Sequence, residues 1–343
     1  MPEKLPQFER PEPIIVGPAS LEKKEEAKRS LLDRFGEGHL RQIPEKSRKI
    51  LESLEYHKKP AESETIRLAN ETTNILLSKY DLVPFDIPER NIHIVPKKLY
   101  KEVDNTPDRV ATTFLDKQLI AIDAGETMLP LDRAETIFHE TVHLKGFHAE
   151  EVHEDLQKPY RGGLKVGATR KKSEKIGFFM MFEGLNEAVV SEIVKQYLPK
   201  IFKENTYLEK ELEWENSEEA RKIKEKLSKA ENINPEEIIC SSKDREIIRT
   251  HPYHNQRKVL YFLCESIYAD NESEFETKDK VMEEFFRAYF NGRLLKIAHL
   301  IEKSFDKGSF RILGMMDSNQ NSAIQILDYL RKHRTNKKEN QGA

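Results

Sequence analysis

The stretch FHETVHLKGFH, from Phe138 to His148, gathers three histidines and one glutamate within eleven residues. Upstream, Asp132 followed by Glu135 has the form of a capping box, and Gly146 is placed to end a helix. The sequence therefore predicts one helix over Leu131 to Leu144, and the chemistry of the stretch depends on which side chains share a face of that helix.

Two of the histidines are one helical turn apart. Successive helical residues rotate by about 100°, so His139 and His143 project about 40° from each other and can chelate one ion. Glu140 points to a neighbouring direction, from which it could accept a proton from an activated water. HETVH is thus an HExxH motif, an arrangement typical of zinc peptidases, although surface histidines on a charged helix are the alternative. The opposite side of the helix carries the core-facing residues Ala134, Ile137, Phe138, Thr141, Val142 and Leu144.

A catalytic zinc ion needs a third protein ligand besides the two imidazoles. Glu187, in EGLNEAVVSEI, shares a predicted helix face with Val190 and Val194, so its carboxylate would be desolvated unless a cation neutralised it. Glu183, one turn earlier, is an alternative. His148 is a weaker one, because it comes one residue earlier than the last histidine of the pattern HExxHxxGxxH. Glu187 is the expected ligand.

The segment RTHPYHNQRKVLYFLCE, from Arg249, precedes a predicted apolar helix and offers donors for a tetrahedral intermediate. Tyr253 is the first choice for this role, and His254 and His251 are the alternatives. A capping loop whose aromatic side chains pack on the core is the structural explanation of the same residues.

The HETVH motif followed by GLNEAVVSEI resembles the gluzincin metallopeptidases, in which a glutamate on a later helix completes the HExxH site. The resemblance covers residues 91 to 200 and implies a zincin-like core, with zinc bound by His139, His143 and Glu187 and with Glu140 as general base. Ser191 stands where thermolysin-like members carry an aspartate that orients a histidine ligand. The chain therefore resembles poorly characterised bacterial or phage-type zincins more than thermolysin.

Around the motif, the pattern predicts an α+β protein that is mainly helical. NIHIVP, residues 91–96, favours a strand, and ATTFLDKQLIAID, residues 111–123, favours a hairpin whose edge strand lies beside the motif helix. YRGGLKVGATR predicts a strand and a turn, FFMMFEGLNEAVVSEIV another helix, and everything beyond residue 200 further helices.

Five segments follow from this pattern: a disordered proline-rich arm (1–20), a helical N-terminal region (21–90), a zincin-like catalytic core (91–200), a helical C-terminal lobe (201–334) and a disordered tail (335–343).

Composition excludes several classes of partner. A net charge of −3 gives no reason to expect nucleic acid, and no stretch approaches the roughly 20 apolar residues of a membrane span. The N-terminus lacks the features of a secretory signal. Only Cys240 and Cys264 are present, too few for a disulfide scaffold, so a cytoplasmic location is expected.

These features predict a zinc-dependent peptidase, an endopeptidase that binds extended peptide or protein substrates through main-chain hydrogen bonds to the edge strand. A catalytically silent zincin-fold interaction protein, and a metal-dependent amidase acting on a small or cell-wall substrate, are the alternatives.

Overall fold

The structure, a computed structural model, describes residues 13–35, 40, 43–53, 57–104, 110–125, 130–170, 173–178, 181, 183–188, 190, 210, 213–231, 233–235, 238–241, 247–250, 253–317 and 320–341. Helices dominate and the sheets are small, so the chain is a mainly helical α+β protein, as its sequence predicts. The described residues form two compact units, each assembled from segments that are distant in sequence.

The first unit contains the described residues of Arg29–Leu144 and Val190–Pro252. Its three-stranded sheet has the order β2-β4-β3, in which β2 runs parallel to β4 and β3 antiparallel to it. These strands are β2 (Ile92–Val95), β3 (Ala111–Phe114) and β4 (Leu119–Asp123). The predicted strand at 91–96 and the predicted hairpin are therefore confirmed, and β3 lies at an edge of the sheet.

Five helices precede or follow the strands of this sheet in the chain. They are α1 (Leu21–Arg34, of which Arg29–Arg34 belongs to this unit), α2 (Glu45–Ser53), α3 (Pro60–Lys79), α4 (Lys97–Val103) and α5 (Pro130–Lys145). Since side chains alternate along a strand, Val95 and Leu119 face the α2 side of the sheet, where they pack with Ile43, Ile50 and Leu51. Ile92, Ile94, Ile120 and Ile122 point to the other face and are fully buried.

A small helix-and-ribbon element follows later in the first unit. Helix α6 (Glu218–Glu231) packs on the antiparallel pair β9 (Ile238–Ser241) and β10 (Ile247–Thr250) through Ala220, Ile238 and Cys240. The prediction that everything beyond residue 200 is helical is wrong here. Short β-branched runs such as IIC and IIRT can form strands, but the charge-rich helices beside them dominate the sequence pattern.

The second unit contains Pro13–Lys28 and the described residues of Lys145–Val189 and Tyr253–Ala343. Its five-stranded sheet has the order β1-β5-β6-β7-β8; β1 pairs parallel with β5 and the other pairs are antiparallel. The strands are β1 (Ile14–Val16), β5 (His148–Val152), β6 (Gln157–Gly162), β7 (Lys165–Arg170) and β8 (Ser173–Gly177). The strand and turn predicted from YRGGLKVGATR correspond to β6 and β7, whereas β5 and β8 are additional.

Strand β1 corrects the prediction of a disordered arm over residues 1–20. Residues 14–16 pair with β5, and Ala19 and Ala27 pack on Val152, so the segment is ordered by tertiary contacts that its proline-rich composition does not indicate. Residues 1–12 lie outside the described part of the chain.

Helices complete the second unit. They are α7 (His254–Asp270), which packs on α8, α9 and α11, then α8 (Lys278–Asn291), α9 (Leu294–Ser304), α10 (Ser309–Leu313) and α11 (Gln320–Gln341). Because α11 continues to Gln341, the prediction of a disordered tail is wrong for residues 335–341, while residues 342 and 343 lie outside the described part. None of the helices in the described ranges is both long enough and apolar enough to cross a bilayer.

Substitution of Gly17 tests how closely the N-terminal segment approaches β5. Its φ is +108°, and a Cβ at this position would lie 2.4 Å from the carbonyl oxygen of Val152. We expect Gly17→Ala to lower the free energy of unfolding by about 2 to 4 kcal/mol, since backbone strain and a main-chain clash combine. Chemical denaturation followed by circular dichroism measures this.

Gly308→Ala is the matched control, since Gly308 has a φ of +100° but no atom within 4 Å of an added Cβ. This variant should lose about 1 kcal/mol of the free energy of unfolding, from backbone strain alone. Equal losses in the two variants would contradict the close approach of Gly17 to β5.

Candidate metal centre

Helix α5 carries the HETVH motif, and its burial follows the predicted pattern. Ala134, Ile137, Phe138, Thr141, Val142 and Leu144 are all buried, which fixes the rotation of the helix about its axis. His139 is half-buried and His143 is 6% exposed, so both imidazoles are shielded from bulk water. The helix ends at Lys145, directly before Gly146, as the sequence predicts.

The two imidazoles converge. Their Nε2 atoms are 3.0 Å apart, and the rings meet edge to face with centroids 4.6 Å apart and planes at 82°. Two nitrogens that each bind zinc at about 2.0–2.1 Å can be no more than about 4 Å apart. The two nitrogens are therefore close enough to bind one ion.

The third ligand comes from another part of the chain. His139 and His143 belong to the first unit, whereas Glu183 and Glu187 belong to the second. Two imidazoles and a carboxylate are the ligand set of many catalytic zinc sites and leave a fourth position open. The two imidazoles thus fit zinc in chemistry, and the carboxylate that would complete the set stays a prediction.

Glu187, the ligand expected from the sequence, lies one turn after Glu183. The helix that the sequence predicts here is present at the described positions 181, 183–188 and 190, and Glu187 is buried like Glu183. Both acids lie on the same helical segment of the second unit. Glu187 as the third ligand and Glu183 as its alternative both stay predictions.

A residue of the three-stranded sheet contacts the side chain of Glu140. Glu140 is 6% exposed, and the hydroxyl of Thr113 on β3 lies 2.5 Å from its Oε2 and 3.1 Å from its main-chain oxygen. This contact confirms that the edge strand of the hairpin lies beside the motif helix. Glu140 directly follows His139 in sequence and lies in the first unit with both histidines.

His148, the weaker alternative for the third ligand, has another partner. It lies on β5, where its Nε2 is 2.8 Å from Oε1 of Glu150, and both side chains are almost fully buried. Residues two apart on a strand share a face, which explains the pairing.

The segment proposed to stabilise the intermediate begins α7. Tyr253 precedes the helix in a left-handed conformation (φ 57°, ψ 26°), and His254 is its first residue. Burial, with smaller contributions from the positive charges of Lys258 and Arg257, lowers the pKa of His254, so its imidazole is neutral at pH 7. His251 lies outside the described residues, and the role of Tyr253 stays a prediction.

Gly184 allows the acidic helical segment to pack closely against the start of α7. A Cβ on Gly184 would lie 2.9 Å from the Cβ of Gln256 in the first turn of α7, so the segment 183–188 packs closely against the start of α7. The two stretches that the sequence singles out, EGLNEA and the turn at Tyr253, are therefore neighbours in the second unit.

Two residues that contact the predicted functional segments were not identified from the sequence: Thr113 and Gly184. The alternation in ATTF indicates that Thr113 shares a face with Ala111, but it does not indicate which helix covers that face. Gly184 packs against Gln256, which is distant in sequence, and only the packing identifies such a neighbour.

Comparisons with protein-family models, with curated proteins and with solved structures find no match for this chain. The likeness to gluzincins therefore depends on the motifs in the sequence.

The identity of the third ligand can be tested by zinc binding. We expect Glu187→Gln to weaken zinc binding by more than about 100-fold, because a charged ligand becomes a neutral amide, whereas loss of a residue that only supports a ligand costs roughly 10- to 100-fold. Glu183→Gln is the matched control and should retain wild-type affinity. Titration calorimetry and metal analysis measure both. The reverse result would establish Glu183 as the ligand.

The packing of Gly184 should also influence the metal. Gly184→Ala places a methyl group against Gln256, so the acidic segment must move, and we expect zinc affinity to fall together with about 1–3 kcal/mol of stability. Gln256→Gly added to the same chain removes the nearest atom and should restore part of the affinity. An alanine variant that binds zinc like the wild type would contradict this close approach.

Proposed function

We propose that this chain is a zinc-dependent peptidase of gluzincin type with a zincin-like core. The observation that carries the proposal is the pair His139 and His143, whose Nε2 atoms are 3.0 Å apart, with the Glu140 carboxylate on the same helix. Imidazole and carboxylate together suit zinc, whereas a site for magnesium or calcium would be built from oxygen ligands.

A bound zinc ion would supply a Lewis acid for a water molecule and for the substrate carbonyl. Glu140 would take a proton from the attacking water and give it to the departing amine, the work of a general base and then a general acid. Because the hydroxyl of Thr113 donates a hydrogen bond to Oε2 of Glu140, Oε1 of Glu140 is the oxygen proposed to accept and return the proton of the water.

Strand β3 supports a peptide as the substrate. Within the described residues its partner is β4, and no strand pairs with its outer edge. An extended peptide can add to such an edge through main-chain hydrogen bonds, which read the backbone more than the side chains. This geometry favours an endopeptidase. Tyr253 is proposed to donate to the oxyanion of the intermediate, where a positioned donor contributes about 3 kcal/mol.

The cysteines support a reducing, cytoplasmic location as part of the proposal. Cys240 and Cys264 are both free and buried, and burial raises the pKa of each thiol. Neither thiol is therefore placed to act as a nucleophile or to form a disulfide.

Glu140→Gln tests the proposal. The amide keeps the size of the side chain but cannot accept the proton, so we expect kcat for casein or a peptide library to fall by roughly 10²- to 10⁴-fold while zinc content is unchanged. Measurement requires cleavage assays with metal analysis of the same preparations. Glu135→Gln, the same change on the same helix at a half-buried position, is the control and should leave cleavage intact.

Two outcomes would favour other functions. Bound zinc without any Glu140-dependent cleavage would favour a silent scaffold that binds other proteins. Glu140-dependent hydrolysis of small or cell-wall amides without hydrolysis of proteins would favour an amidase.

A further inference from the structure

We propose that Thr113 is a positioning residue that orients the carboxylate of Glu140 from the edge strand. This inference rests on the proposed function, because it concerns the residue assigned there as general base. Both residues lie in the first unit, and Thr113 lies on the edge strand of the hairpin predicted over residues 111–123, without being part of the HETVH motif.

The hydrogen bond has a defined direction. Thr113 Oγ1 carries one hydrogen, and both nearby groups of Glu140, the carboxylate and the main-chain oxygen, accept hydrogen bonds. The carboxylate oxygen Oε2 is closer, at 2.5 Å against 3.1 Å for the main-chain oxygen. A hydroxyl that donates to an ionised carboxylate makes a short, strong hydrogen bond, which matches the nearer partner.

The contact restrains a flexible side chain. Glutamate has several rotatable bonds, and fixing them costs roughly 1.5–2 kcal/mol of conformational entropy when no partner holds the group. Thr113 is β-branched and stiff about χ1, and its backbone is held in the antiparallel pair opposite Ile120 of β4. The sheet thereby limits the directions that Oε1 can take.

The position of Thr113 connects the base to the substrate strand. In the proposed function, an extended peptide pairs with the outer edge of β3, the strand that carries Thr113. The base would then be held by the same strand that positions the scissile bond. Such alignment raises the rate of the chemical step by a large factor, because a small displacement of a catalytic group lowers that rate strongly. Thr113 should therefore affect kcat and leave substrate and zinc binding nearly unchanged.

The test compares Thr113→Val with Thr113→Ser. Valine keeps the branched shape and removes the hydroxyl, whereas serine keeps the hydroxyl. A hydrogen bond to a charged group corresponds to about a tenfold change or more in an equilibrium or rate. We expect valine to lower kcat by roughly tenfold or more, with KM and zinc affinity within about twofold of wild type, and serine to retain most of kcat.

A second measurement does not depend on activity. In the metal-free protein, the melting temperature should fall on Thr113→Val in the wild-type background and should change little when Glu140→Ala has already removed the acceptor. This double-mutant cycle measures the coupling between Thr113 and Glu140. Equal falls in both backgrounds, a valine variant with wild-type kcat, or a serine variant as slow as valine would each overturn the proposal.

The two proposals can fail separately. A wild-type chain without Glu140-dependent cleavage would overturn the function together with the role of Thr113 in it. Normal cleavage with no coupling between Thr113 and Glu140 would overturn the positioning role alone.

Discussion

The convergence of two imidazoles from one turn of α5 is the feature on which the candidate site depends. Their Nε2 atoms are 3.0 Å apart because residues one turn apart share a helix face. The apolar side of the helix, including Phe138 and Val142, is fully buried and sets the direction in which that face points. Any rotation that moved one ring would expose part of this core, at a cost of about 25 cal/mol for each Å² of apolar surface. Packing on one side of α5 thus determines the chemistry available on the other.

The three-stranded sheet contributes to the site as well as to the core. Its isoleucines are buried, while Thr113 on the edge strand reaches the carboxylate of Glu140. A buried carboxylate is costly without a hydrogen-bond donor, so the threonine also lowers the cost of keeping an acid in this place. Structural support and catalytic alignment would therefore come from the same contact.

Sequence periodicity predicted the local elements of the site well. The helix over the HETVH motif, the hairpin that follows NIHIVP and the helical residues around Glu187 are all present, because each depends on interactions within a few residues. Predictions based on composition were less reliable. Residues 14–16 form a strand and residues 335–341 a helix, in each case as part of a unit whose other segments are distant in sequence.

The sequence by itself determined which residues can act: two histidines and a glutamate at helical spacing, with acids one turn apart in EGLNEA. Spacing within a helix fixes angles between side chains, so this part follows from the chain alone. Only the tertiary structure decided which side chain holds Glu140, since that distance depends on packing between segments far apart in sequence. It selects Thr113, a residue whose local sequence is equally compatible with other roles.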